Sequence, residues 1–227
     1  MDKNIDWKKY EIESVLNYED DHVFKIDVEK HFITILDNYK DILSEKELVK
    51  SKKYNKEADA KRYLISKYFL RKILSKFIHV EPNAIRFEQT SNKKPTVAGV
   101  EFNLTHSGKL VLIAISKSLI GIDLEYINKE FDFNPLLSNC FHQDEIDFLK
   151  ANNNKIDNFY KLWTRKEALL KATGEGLIDE LDQINSLGNE VRRRDLSFDL
   201  QSFSLEDNNV ISIARLGNPS KINFWSL

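Results

Sequence analysis

The chain has one cysteine, Cys140, in 227 residues. A single thiol excludes an internal disulfide framework and any cysteine-based structural zinc site. Seven glycines and four prolines exclude collagen-like or long low-complexity organisation. No apolar run approaches the roughly 18 residues that a spanning helix needs. Residues 1–10 are charged and lack the apolar core of a secretory signal. A cytoplasmic address without a membrane partner is the expectation. What is present is 41% hydrophobic and 31% charged residues, the balance of a folded chain rather than a disordered one. The length suits one large domain or two small ones.

Net charge is −2, but it is unevenly spread. Residues 1–115 hold 21 Lys+Arg against 18 Asp+Glu, and residues 116–227 hold 13 against 18. Within 46–94 the count is 14 against 5. Such a run is commonly a solvated helix face, and it is also the field that a phosphate or an acidic partner would meet. Nucleic acid is not the expected partner, because its binders carry more strongly basic domains and the pI here is about 6.2.

Residues 56–79 place Ala60, Tyr63, Leu64, Phe69, Leu70, Ile73, Leu74 and Phe77 near helical spacing. This predicts an amphipathic helix with Lys and Arg on its wet side, limited by Pro82. Residues 101–105, 110–116 and 120–126 read as strands, with a turn at Ser107–Gly108. The 120–126 strand alternates apolar and acidic residues, so it should have one polar face. Residues 156–173 predict a second helix, ended by Gly174. Further strands are expected near 197–205, 209–216 and 221–226. Both halves mix helix and strand. The expected fold is α+β, with two similar lobes spanning 1–117 and 118–227.

Asp123 and Glu125 stand one residue apart on a predicted strand, hence on one face and roughly 6.5–7 Å apart along it. Two carboxylates so placed repel, and a hard divalent cation such as Mg²⁺ or Mn²⁺ would relieve them. Two solvated acids on an edge strand give the same pattern. Glu167 and Lys171 lie four apart on the second helix, either as an ordinary ion pair or as a third carboxylate with a phosphate-binding amine. Trp163 precedes them by one turn as a core or platform residue. His106, in Asn103-Leu104-Thr105-His106-Ser107, can donate to a phosphate or serve structurally. No P-loop and no dinucleotide-binding glycine motif occurs.

Taken together, these elements resemble the signature motifs of the 4′-phosphopantetheinyl transferases. Gly121-Ile122-Asp123-Leu124-Glu125 and Trp163-Thr164-Arg165-Lys166-Glu167-Ala168-Leu169-Leu170-Lys171 carry the resemblance in order and spacing. Asn103 to Ser107 resembles the upstream histidine motif, and Lys94-Pro95 the element before it. Phe141-His142-Gln143-Asp144-Glu145 resembles the short middle motif, and Gly174-Glu175-Gly176-Leu177 the glycine turn after the helix. Arg62 stands where the family keeps a basic phosphate-binding residue. The resemblance covers roughly residues 44–178. In length the chain looks like the surfactin-synthetase-activating type, a monomer of two pseudo-symmetric lobes with the active site between them.

The resemblance implies transfer of phosphopantetheine from coenzyme A to a serine of an apo acyl, peptidyl or aryl carrier protein, releasing adenosine 3′,5′-bisphosphate. It implies Asp123, Glu125 and Glu167 as ligands of Mg²⁺, with Mn²⁺ as the alternative. Lys171 would stabilise phosphate charge, and Glu167, directly or through a water on the metal, would be the base. Arg62, His106, Thr105 and Lys50 would meet coenzyme A phosphates, and Lys94 and Pro95 would line its adenine end. Lys93 departs from the family, which often has glycine there. A non-catalytic carrier- or coenzyme-binding module on this fold, and a different Mg²⁺-dependent nucleotide enzyme, are the competing readings.

Overall fold

The computed structural model describes residues 5–11, 14–176, 178, 180–206, 208–217 and 221–227. Leu177 of the glycine turn and residues 1–4 of the charged N-terminal segment lie outside the described residues. The chain divides into two compact units, one built on Trp7–Lys117 with Ile222–Leu227 and the other on Ser118–Lys221.

In the first unit a short strand β1 (Lys8–Lys9) precedes β2 (Asp21–Asp27), which buries Val23, Phe24 and Ile26. Asp27 ends β2 and caps α1 (Val28–Ile35), its carboxylate accepting from the N–H groups of Glu29 and Lys30. After α2 (Tyr39–Ile42), Ser44 and Glu47 form a capping box that starts α3 (Glu45–Ser51). The predicted long helix is α4 (Glu57–Ile78), ended by His79 in the left-handed conformation. Ile65, Leu70, Ile73 and Leu74 give it a buried stripe. One charge departs from the wet-side expectation. Arg71 is only 2% exposed, its Nε donating to Glu47 Oε2 at 2.8 Å and its Nη1 to the carbonyls of Pro82 and Ile85. A small hairpin, β3 (Glu88–Gln89) and β4 (Pro95–Thr96), then leads to β5 (Glu101–Ser107) and β6 (Leu110–Ser116).

The second unit opens with β7 (Ile120–Tyr126). Helices α5 (Leu137–Cys140), α6 (Gln143–Ala151) and α7 (Lys155–Thr173) follow, then β8 (Glu190–Arg193), β9 (Leu196–Leu205) and β10 (Asn209–Leu216). These strands form an antiparallel sheet in the order β7-β10-β9-β8, with α7 packed on β7 and β10. The sequence places the last strand in the second lobe. Instead β11 (Ile222–Ser226) belongs to the first unit, where it pairs in parallel with both β1 and β2. It completes the sheet β1-β11-β2-β6-β5, whose main-chain groups would otherwise lack a partner at that edge.

Candidate functional site

Gly121 sets the geometry of the second unit's site. A Cβ at that position would stand 1.9 Å from the carbonyl oxygen of Ala168 and 2.4 Å from the nitrogen of Ala172. Only glycine lets β7 approach α7 so closely, and Ala168 and Ala172 are the small residues that meet it. Side chains two apart on a strand share a face, so Asp123 and Glu125 face the same helix. The polar face expected of this strand is therefore not a solvent face. Asp123 is only 4% exposed, because α7 covers it.

Lys171 Nζ donates to Asp123 Oδ1 at 2.6 Å and to the carbonyl of Ile122 at 3.4 Å. Burial pushes the Glu125 carboxyl up to about 7, and the charge of Asp123 adds to the shift, with Lys171 opposing and Glu167 adding again. Burial and Asp123 raise Glu167 in the same way, against Lys171. Glu125 thus feels both other carboxylates and Glu167 feels Asp123, with the Lys171 ammonium opposing both shifts. Among the described residues, no three His, Cys, Asp or Glu side chains are closed enough to hold a metal ion as they stand. The triad is an open face rather than a finished cage, with the Lys171 ammonium on Asp123. Its donor chemistry fits a hard divalent cation, since three oxygen ligands with surplus negative charge are what Mg²⁺ or Mn²⁺ favours.

Several supporting residues escape a reading of the sequence alone. Tyr160, on α7, bonds the backbone of Asn128 and is close enough to Glu125 to feel its charge. The middle motif, Phe141 to Glu145, is structural. Glu145 is fully buried and pairs with the buried Lys166 at 2.7 Å. It also accepts from Ser186 N at 2.8 Å and Ser186 Oγ at 2.6 Å. Lys166 donates to the carbonyls of Leu181 and Ile184 as well. This network ties α6, α7 and the 181–186 loop together directly before Glu167. Trp163 packs with Phe141 and Phe159, which makes it a core residue.

The phosphate-binding candidates lie in the first unit. Arg62 donates to the carbonyl of Gly108 at 3.1 Å and pairs with Asp59, which brings α4 to the turn after His106. His106 is exposed, whereas Thr105 is buried. Adjacent strand residues point to opposite faces, so these two candidates do not converge from one face of β5. Lys94 is 13% exposed with its amine 3.9 Å from Glu101, and burial lowers its pKa against that carboxylate. Pro95 lies in β4, paired with Gln89. Lys93 adopts φ 63°, the conformation that makes glycine the usual choice. Lys50, on α3, has its ammonium 5.3 Å from the ring centre of Tyr63, the residue after Arg62 on α4.

Comparison with known proteins accounts for both halves. The family model described as 4′-phosphopantetheinyl transferase, N-terminal, matches residues 33–118, and that of the 4′-phosphopantetheinyl transferase superfamily matches residues 119–221. The 4′-phosphopantetheinyl transferase HetI of a Nostoc species is 32% identical over 196 residues, covering 81% of this chain and 82% of that protein. The chain belongs to the 4′-phosphopantetheinyl transferase superfamily. As a phosphopantetheinyl transferase it is an enzyme, of the surfactin-synthetase-activating type, and it transfers phosphopantetheine to carrier proteins. The 4′-phosphopantetheinyl transferase Sfp of Bacillus subtilis is 32% identical over 137 residues, 58% of this chain and 60% of that one. The corresponding transferase gsp of Aneurinibacillus migulanus is 35% identical over 128 residues, 55% of this chain and 53% of that one. With these two transferases the match spans a little over half of their length. Among the described residues, no helix is long and apolar enough to cross a membrane.

Proposed function

We propose that the phosphopantetheinyl donor is coenzyme A, that the acceptor is a carrier-protein serine, and that Asp123, Glu125 and Glu167 hold one Mg²⁺, or Mn²⁺ in its place. The observation that carries this reading is the facing of three mutually repelling carboxylates and one lysine across the β7–α7 contact. Bound there, the cation would supply Lewis-acid stabilisation of the donor's pyrophosphate. The serine oxygen attacks the phosphorus that bears the pantetheine arm, the pyrophosphate P–O bond breaks, and adenosine 3′,5′-bisphosphate leaves. Glu167, which burial and the charge of Asp123 push above the ordinary carboxylate range, would accept the serine proton, directly or through a water. Lys171 stabilises negative charge on the phosphate in transit. Arg62 and His106 bind the donor's phosphates, with Lys50 as a further candidate, while Thr105, buried on the other face of β5, supports the strand that carries His106. Lys94 and Pro95 line the adenine end. The protein acts as a cytoplasmic monomer of two lobes that part near residue 118, with residues 222–227 returning to the first.

The test incubates the protein with coenzyme A, Mg²⁺ and a panel of apo carrier proteins, then reads intact carrier masses. One added phosphopantetheinyl group, lost with a chelator and with Glu167→Ala, is the expected result. Undiminished transfer by Glu167→Ala would contradict the mechanism. Coenzyme A binding without any mass gain would favour a binding module.

A further inference from the structure

The last turn of α7, which carries Lys171, is held from outside the helix. Gly174 ends α7 at φ 71°, and the next side chain, Glu175, is only 5% exposed. Its carboxylate accepts from Thr173 Oγ1 at 2.7 Å, Arg193 Nε at 3.1 Å and Arg193 Nη2 at 2.9 Å, with Arg194 Nε at 3.1 Å. Burial alone would push this carboxyl up. The bonds from Arg193 and Thr173 and the charge of both arginines carry it below its ordinary value instead.

The arginines come from the β8–β9 hairpin. β8 ends at Arg193 and β9 begins at Leu196, so Arg194 and Asp195 form the turn. Both have positive φ, 51° and 61°. Two-residue turns with this backbone are normally built from Asn-Gly or a similar pair. An L side chain is strained in that conformation. Local strain of this kind is retained where the surrounding structure uses it, and here the strained turn delivers Arg194 to Glu175.

We propose that the β8–β9 hairpin positions Lys171. Arg193 and Arg194 hold Glu175, Glu175 holds Thr173 and the C-terminal turn of α7, and that turn sets how Lys171 meets Asp123. Glu175 and the two arginines are positioning residues, not catalytic ones. The proposal rests on the reading of Lys171 as the phosphate-stabilising group.

The experiment compares the full-length protein with Glu175→Gln and with the double variant Arg194→Asn/Asp195→Gly. Three quantities are read: Tm, kcat and KM in carrier modification, and the rate at which an N-hydroxysuccinimide ester acylates Lys171 relative to Lys155 and Lys161 of the same helix. Glu175→Gln should lower kcat by about tenfold, as expected when a reacting group shifts by a fraction of an ångström, with KM for coenzyme A little changed. Lys171 should acylate severalfold faster once its seat on Asp123 loosens. The double variant should gain Tm through the relaxed turn yet lose kcat, the opposite of what a purely structural hairpin gives. Wild-type kcat and wild-type Lys171 protection in both variants would overturn the proposal. Transfer failing in the unsubstituted protein would overturn the functional reading instead, while the acylation comparison still decides the clamp.

Discussion

At the scale of single residues, Gly121 carries more of the site than any charged group. Any Cβ there meets main-chain atoms of α7, and these cannot rotate aside. Gly121→Ala should therefore push β7 and α7 apart. Urea unfolding should show a loss of about 1–3 kcal/mol, the range for overpacking, and transfer should fall further than the stability loss explains. Unchanged stability would show that the contact is looser than it stands here. Lys93 is the converse case. It sits at φ 63° in a tight turn where its N–H bonds the carbonyl of Thr90. Lys93→Gly should stabilise the protein by about 1 kcal/mol, visible as a rise in Tm.

At the scale of elements, α6 and α7 are joined by a buried ion pair. Glu145 and Lys166 are 0% and 1% exposed. Removing one partner strands the other, which typically costs about 3–5 kcal/mol, whereas replacing both with apolar residues of similar size is far milder. Lys166→Met should thus be more damaging in urea unfolding than Glu145→Leu/Lys166→Met together. Equal loss in the two would mean that the serine and carbonyl contacts, not the ion pair, hold the network. The elements themselves were largely readable. The helix predicted over 156–173 is Lys155–Thr173, and the strands at 110–116, 120–126 and 209–216 stand as expected, because each has a clear apolar period. The roles of Arg71, Glu145 and Lys166 were not readable. Their burial depends on partners 11 to 41 residues away, and local patterning assigns every such charge to water. The return of β11 to the first unit is hidden from the sequence for a related reason, since pairing across the length of the chain leaves no local signal.

At the scale of the whole molecule, the β11 return makes the first unit depend on both ends of the chain, and His22 reports on that closure. Trp225 Nε1 of β11 donates to His22 Nδ1 at 2.9 Å, and the other ring nitrogen meets the carbonyl of Asn17 at 2.8 Å. The ring is therefore neutral, with its proton on Nε2. Burial holds its pKa below 6.5, against the upward pull of Asn17, Asp20 and Asp21. Between pH 6.5 and that lower value only the unfolded chain takes the proton. The contribution of His22 should be full above pH 6.5 and fall as the pH drops through the window, with a limiting slope of about 1.4 kcal/mol per pH unit. Glu125, with its carboxyl raised to about 7, contributes a slope of opposite sign, so urea midpoints from pH 7.5 to 5 are compared with those of His22→Gln, and the difference between the two should show the histidine's slope. The motifs were legible at this scale because their order and spacing survive along the chain. What they could not convey is that Lys171 already rests on Asp123, or that Thr105 and His106 lie on opposite faces of one strand.

On the proposed function, the carboxylates of β7 and α7 face one another to hold a single cation. Electron paramagnetic resonance of Mn²⁺ titrated into the protein with coenzyme A present reads this without turnover. One Mn²⁺ per chain is the expected result, with binding weakened in each of Asp123→Asn, Glu125→Gln and Glu167→Gln. Wild-type affinity in all three variants, or no bound Mn²⁺ at all, would contradict it.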